Sequence, residues 1–151
     1  MNRINKSILL VEDSPEDYEA TVRALRHAGL ANPLLHCADG DDTLDLLHQR
    51  GSYATSENAS PPGIILLDLN LPGTDGREVL EHIKSDDTLK MIPVIVLTTS
   101  ADPRDIEGCY QAGANSYIQK PVNFTGLMEA IQRLKDFWFE VVVWPKGGQE
   151  I

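Results

Sequence analysis

The chain has 151 residues, with 13 Lys plus Arg against 23 Asp plus Glu, giving a formal net charge of −10. This length predicts one domain that can bury about two-thirds of its unfolded surface, so no metal or disulfide staple is needed to hold a core. The acidic balance argues against a nucleic-acid partner, and Cys37 and Cys109 stand far apart with no CxxC or Cys/His cluster, which excludes a disulfide scaffold and a zinc module.

The polar stretch Met1 to Ser7 leads into Ile8-Leu9-Leu10-Val11, an unbroken apolar run of the kind that forms a strand covered on both faces. The run is too short for a signal-peptide core or a membrane span, so the expectation is a cytoplasmic protein with no membrane partner. Ser14-Pro15-Glu16-Asp17 follows, with a capping residue, Pro at the first helical position and acids in the first turn. Tyr18, Val22 and Leu25 recur at helical spacing, and Gly29 marks a stop. Leu34 to Ala38 reads as a weaker strand, and Asp41 to Arg50 as a helix carrying Leu44 and Leu47. Gly51 to Gly63, rich in Ser, Pro and Ala, reads as a surface linker.

Ile64-Ile65-Leu66-Leu67 and Val94-Ile95-Val96-Leu97 repeat the buried-strand signature. Arg77 to Ser85, Pro103 to Ala112 and Thr125 to about Phe137 carry apolar residues at helical spacing. Ser116 to Gln119 is a second weak strand, and both weak strands belong near the sheet edges. Five strands each followed by a helix predict a doubly wound (βα)5 fold, a parallel five-stranded sheet with helices on both faces.

In such a sheet, ligands bind beyond the carboxyl ends of the strands. Glu12 and Asp13 follow the first strand, Asp68 the third, Thr98-Thr99-Ser100 the fourth, and Lys120-Pro121 the fifth. Each has an ordinary structural role available: the acids can cap helices or start turns, Thr98 can simply be a strand former, and Lys120 a solvated surface lysine. Their coincidence on one sheet edge is what carries weight. Three packed acids repel one another unless a cation joins them, and clustered oxygens suit Mg²⁺.

Ile8 to Asp13, Leu66-Leu67-Asp68-Leu69-Asn70-Leu71-Pro72-Gly73, Pro93 to Thr98 and Gly113 to Pro121 together resemble the receiver domain of two-component response regulators, whose fold is flavodoxin-like. Leu97 to Ser100 and Phe137-Trp138 also resemble the single-domain regulators of bacterial and cyanobacterial phytochromes. The resemblance implies a receiver over residues 1–136, followed by an apolar extension over 137–151 with no output domain. It implies that Asp68 is the phosphoacceptor, that Glu12, Asp13, Asp68 and the backbone carbonyl of Asn70 bind Mg²⁺, and that Lys120 pairs with the phosphoryl oxygens. It makes Thr98 and Tyr117 the switch pair and implies a cis Lys120–Pro121 bond. Glu12 departs from the family, where Asp is common. Implied partners are a sensor histidine kinase of the phytochrome type and a histidine phosphotransfer protein. The protein is then a phosphoacceptor, not an enzyme beyond its self-catalysed phosphotransfer and dephosphorylation. A kinase that is not a phytochrome, feeding a generic phosphorelay shuttle, is the alternative.

An aspartate-nucleophile phosphatase would need an acid where Asn70 stands, and asparagine cannot pass a proton. An FMN binder would need a phosphate loop where Glu12, Asp13, Glu16 and Asp17 would repel the phosphate. Within Phe137 to Trp144 only Glu140 is charged. That segment predicts a homodimer interface, as in the regulators it resembles; folding back onto the monomer's own core is the alternative.

Overall fold

A computed structural model describes residues 6–54 and 60–145. Five strands form one sheet: β1 (Ile8–Val11), β2 (Leu34–Cys37), β3 (Ile64–Leu67), β4 (Val94–Thr98) and β5 (Ser116–Gln119). They alternate with α1 (Pro15–His27), α2 (Gly40–His48), α3 (Gly76–Ser85), α4 (Pro103–Ala112) and α5 (Phe124–Asp136). The spatial order is β2-β1-β3-β4-β5, and every pairing is parallel. This is the flavodoxin-like arrangement. The central strands β1, β3 and β4 are buried throughout, whereas the less apolar β2 and β5 lie at the edges as expected. Among the residues of the expected linker, Gly51–Tyr53 form a short 3-10 turn, and residues 55–59 fall outside the described part.

Side chains that alternate along each strand feed two cores. Ile8, Leu10, Ile64, Leu66, Ile95 and Leu97 face α1 and α5, where Leu25, Ile131 and Leu134 meet them. Leu9, Val11, Ile65, Leu67, Val94 and Val96 face the other way, against Val79, Leu80 and Ile83 of α3, Leu47 of α2 and Cys109 of α4. The sequence signals hold at the helix starts. Ser14 accepts from the Asp17 amide with Pro15 behind it, and Asp75 and Glu78 form a reciprocal capping box. At the end of α1, Gly29 takes φ 91° and lets the Leu30 amide reach back to the Leu25 carbonyl at 3.1 Å.

Beyond α5 the helix widens into a single π turn, Phe137–Val141, which the Val142 amide closes on the Phe137 carbonyl at 2.9 Å. The turn divides the apolar segment. Trp138, Phe139 and Trp144 are buried with the α1/α5 core, while Phe137, Val141 and Val143 stay exposed. Trp144 donates its indole N–H to the Trp138 carbonyl at 2.5 Å and packs edge-on to Phe139. It also closes over Gly63, where a Cβ would lie 2.6 Å from the indole. Within the described residues the segment therefore folds back, with part of its surface left over.

Trp144 is thus a core residue. Trp144→Ala should lower unfolding free energy by about 3–5 kcal/mol in urea denaturation; a loss below about 1 kcal/mol would show that the segment lies on the surface without stabilising the fold.

Candidate functional site

Parallel register carries the site. Val11 of β1 pairs with Leu67 of β3, so the residues that follow them, Glu12 and Asp68, leave the sheet side by side at its carboxyl edge. The Asp68 amide still donates to the Val11 carbonyl at 3.1 Å, and the Lys120 amide to the Thr98 carbonyl at 2.6 Å. Backbone bonds thus hold the ends of β1, β3, β4 and β5 together. Gly76, at the start of α3, packs against the loop below Asp68: a Cβ there would lie 2.4 Å from the Asp68 carbonyl oxygen.

Carboxylate oxygens of Glu12, Asp13 and Asp68 lie within 4.8 Å of one another, with Asp13 exposed and the other two buried. Lys120 is buried among them. Its Nζ lies 2.6 Å from Glu12 Oε1, 3.3 Å from Asp17 Oδ2 and 3.6 Å from Asp68 Oδ2. Burial pulls the Lys120 ammonium toward deprotonation, but the hydrogen bond to Glu12 and the charges of Asp68 and Asp17 outweigh it, so its pKa is raised. Burial raises the Glu12 pKa too, against the pull of Lys120, and the nearby Asp68 charge adds to the rise. Glu12 Oε2 accepts from the Ser14 amide at 3.2 Å, so both of its oxygens are engaged. Asn70 is exposed at the mouth, its amide 3.4 Å from Asp68 Oδ1.

Thr98 is fully buried, and its hydroxyl makes no hydrogen bond. Orphaned hydroxyls are uncommon in folded interiors and point to a partner supplied from outside. Tyr117 is half-buried and donates its hydroxyl to the Ser100 carbonyl at 2.9 Å. The donor set is all oxygen and multiply acidic, and it fits a hard divalent cation such as Mg²⁺. No cis peptide occurs among the described residues, so the expected cis Lys120–Pro121 bond is trans. Trans is the favoured isomer even before proline by about 0.5–1 kcal/mol, and the long lysine side chain reaches Glu12 without the other.

Two features escape a linear reading. Asp17, the third residue of α1, turns back over the sheet edge to meet Lys120; its place after Ser14-Pro15 was the available signal. Below Thr98 and Tyr117, Arg77 grips Asp105 with two hydrogen bonds, 2.7 and 2.8 Å, and Asp105 accepts a third from the Ser100 hydroxyl at 2.6 Å. The network ties α3 to α4 and to the loop after β4.

This chain belongs to the response regulator receiver domain family, which it matches over residues 8–132. It is 42% identical over 140 residues to response regulator Rcp1 of Synechocystis, covering 93% of each chain. It is also similar to the solved structure of the phosphorylated cyanobacterial phytochrome response regulator RcpA, with TM-score 0.87, 42% identity and coverage of 93% of this chain and 99% of that one. The Mn²⁺-bound form of Rcp1 gives TM-score 0.85 and 42% identity over the same shares, 93% and 99%. The receiver expected from the motifs is thus shown, as is the likeness to phytochrome-associated regulators. No helix among the described residues is long and apolar enough to cross a membrane.

Arg77 and, after it, the Ser100 hydroxyl hold the Asp105 carboxyl down at about 2. A carboxylate depressed from its ordinary 3.8 contributes stability above that value and loses it as pH falls toward 2. Asp105→Asn should therefore cost about 1–2 kcal/mol at pH 7. The gap to the parent chain should shrink between pH 4 and pH 3 in urea titrations. A gap that stays constant across that window would separate Asp105 from the network.

Proposed function

We propose that Asp68 accepts a phosphoryl group from the phosphohistidine of a sensor histidine kinase in a Mg²⁺-dependent step, and that the kinase is of the phytochrome type. The observation that carries this reading is the buried Lys120 ammonium 3.6 Å from Asp68 Oδ2. An Asp68 oxygen attacks phosphorus, the P–N bond to the donor imidazole breaks, and the imidazole takes up a proton. Phosphoryl transfer spreads charge over the equatorial oxygens, so positioning and countercharge supply most of the catalysis. Mg²⁺, held by Asp13, Asp68 and the Asn70 backbone carbonyl with Glu12 alongside, supplies part of that countercharge when bound. Glu12 here also holds Lys120 in place. Lys120 turns from Asp68 toward the new phosphoryl oxygens, and the Thr98 hydroxyl donates to one of them.

Signalling then runs through Thr98 and Tyr117. As Thr98 moves toward the phosphate, Tyr117 leaves the Ser100 carbonyl and turns inward, a shift between two populations of the β4–α4 loop and α4. The readout is protein contact or onward transfer to a histidine phosphotransfer protein. Phytochrome as the partner is supported by the similarity to the cyanobacterial phytochrome response regulator RcpA and by the Phe137-Trp138 segment, which resembles that group of regulators.

Incubation with each autophosphorylated histidine kinase of the same genome should label Asp68, fastest with a phytochrome-type kinase. Asp68→Asn and chelation of the metal should each abolish the label. Labelling that survives both overturns the reading. Lys120→Ala should keep Mg²⁺ affinity and lose the conformational response, followed by amide shifts on adding beryllofluoride.

A homodimer is part of the same reading. Phe137 is 53% exposed and, with Tyr110, Tyr117 and Trp138, rims an open groove of about 410 Å³ between α4, β5 and α5. Aromatic rims of this kind mark contact surfaces. Because Trp138 and Trp144 belong to the core, removing the whole segment would test folding and not association. Phe137→Ser with Val141→Ser should instead give a folded monomer by light scattering at tens of micromolar. A parent chain that is itself monomeric at that concentration excludes the dimer.

A further inference from the structure

We propose that His48, His82 and Asp86 form a site for a divalent transition-metal ion, at the opposite edge of the sheet from the carboxylate cluster. His48 is the last residue of α2, His82 lies in the final turn of α3, and Asp86 caps that helix. Helices antiparallel to their strands end at the amino edge of the sheet, so this cluster stands far from Asp68. One ligand atom from each of the three residues lies within 4.8 Å of the others. The chemistry differs. Two imidazoles and one carboxylate suit borderline ions such as Ni²⁺, Cu²⁺ or Zn²⁺, whereas three carboxylates suit Mg²⁺.

Geometry sharpens the assignment. His48 Nε2 and His82 Nε2 lie 2.8 Å apart. Two nitrogens about 2.05 Å from one metal are separated by about 2.9 Å at a right angle and by about 3.3 Å at the tetrahedral angle. The observed 2.8 Å is the length of an N–H···N hydrogen bond, with the rings edge-on and 5.0 Å between centroids, so the two imidazoles already meet nitrogen to nitrogen close to the spacing of a chelating pair. Asp86 is oriented before any ion binds: its Oδ1 accepts from the Thr88 amide at 2.8 Å and the Leu89 amide at 2.9 Å. Asp86 stands at the cap of α3, four residues after His82, with a carboxylate oxygen within 4.8 Å of a ring nitrogen of each histidine. The carboxyl ends of α2 and α3 add the negative poles of two helix dipoles, and the chain's net charge of −10 draws cations in general.

The competing state is a single proton shared by the two imidazoles, which needs no metal. Titration of the full chain with Ni²⁺ in isothermal calorimetry separates the two. With the carboxylate site held by excess Mg²⁺, one equivalent of Ni²⁺ should bind, and Asp68→Asn should bind it unchanged. His48→Gln and His82→Gln should each weaken it at least about tenfold, the loss that even outer partners of a metal site cause. Ni²⁺ should broaden the ring signals of His48 and His82 in the parent chain and spare His27 and His36, a readout that depends on no variant folding. Equal affinity in the His48→Gln/His82→Gln double variant, loss of binding in Asp68→Asn, or uniform broadening of all four histidines would overturn the site.

Discussion

A buried ammonium cannot stand alone, and the sheet edge is arranged around that constraint. At an effective dielectric near 20, each carboxylate a few ångströms from Lys120 contributes about 4–6 kcal/mol of attraction. That sum offsets both the desolvation of the lysine and the mutual repulsion of Glu12, Asp68 and Asp13. Removing one partner of such a pair costs about 3–5 kcal/mol, because the other is left buried and unmatched. The same cluster thus couples stability to chemistry. Under the proposed phosphorylation of Asp68, negative charge would be added where the Lys120 ammonium is already shared, so Lys120 would have to redistribute its contacts. That redistribution is the local event from which a switch can be built.

Much of this was legible in the sequence for a simple reason. A parallel strand buried on both faces must be apolar throughout, so its first polar residue marks the carboxyl edge. Glu12, Asp68 and Lys120 each follow such a run or its edge-strand counterpart, and Thr98 ends β4 at the same level. Side-chain pairing was not legible. Lys120 and Glu12 are 108 residues apart, and only the closed sheet shows that Glu12 spends one oxygen on the lysine and the other on the Ser14 amide. Asp17 read as a helix-start acid, which it is. Its second role depends on how α1 leans over the sheet.

Composition favoured a homodimer interface for the C-terminal segment, although folding back onto the core needs the same apolar residues. What decided it was helical phase. A π turn adds a residue to the helical repeat, and this turns Trp138 and Phe139 toward the α1/α5 core while Phe137 and Val141, four apart, face outward. Trp144 returns over Gly63 and locks the turn. The segment is therefore a core element on one side and a free apolar rim on the other, and neither description alone covers it.

The two halves of the molecule meet at Ser100. Its carbonyl accepts from Tyr117, and its hydroxyl donates to Asp105, which Arg77 anchors to α3. Ser100 lies two residues beyond Thr98, so the proposed motion of the Thr98 hydroxyl toward a phosphate would pull on a loop clamped at both ends. The Arg77–Asp105 pair is charge-assisted, with two hydrogen bonds and partly shielded from water, so it is the stiffer clamp. The Tyr117 hydroxyl bond is neutral and half-exposed, worth about 1 kcal/mol, so it is the one that gives way first. In the proposed switch, strain entering at Thr98 is thus steered toward Tyr117 and the α4–β5 face while α3 stays fixed, and the asymmetry of two hydrogen bonds at one serine sets its direction.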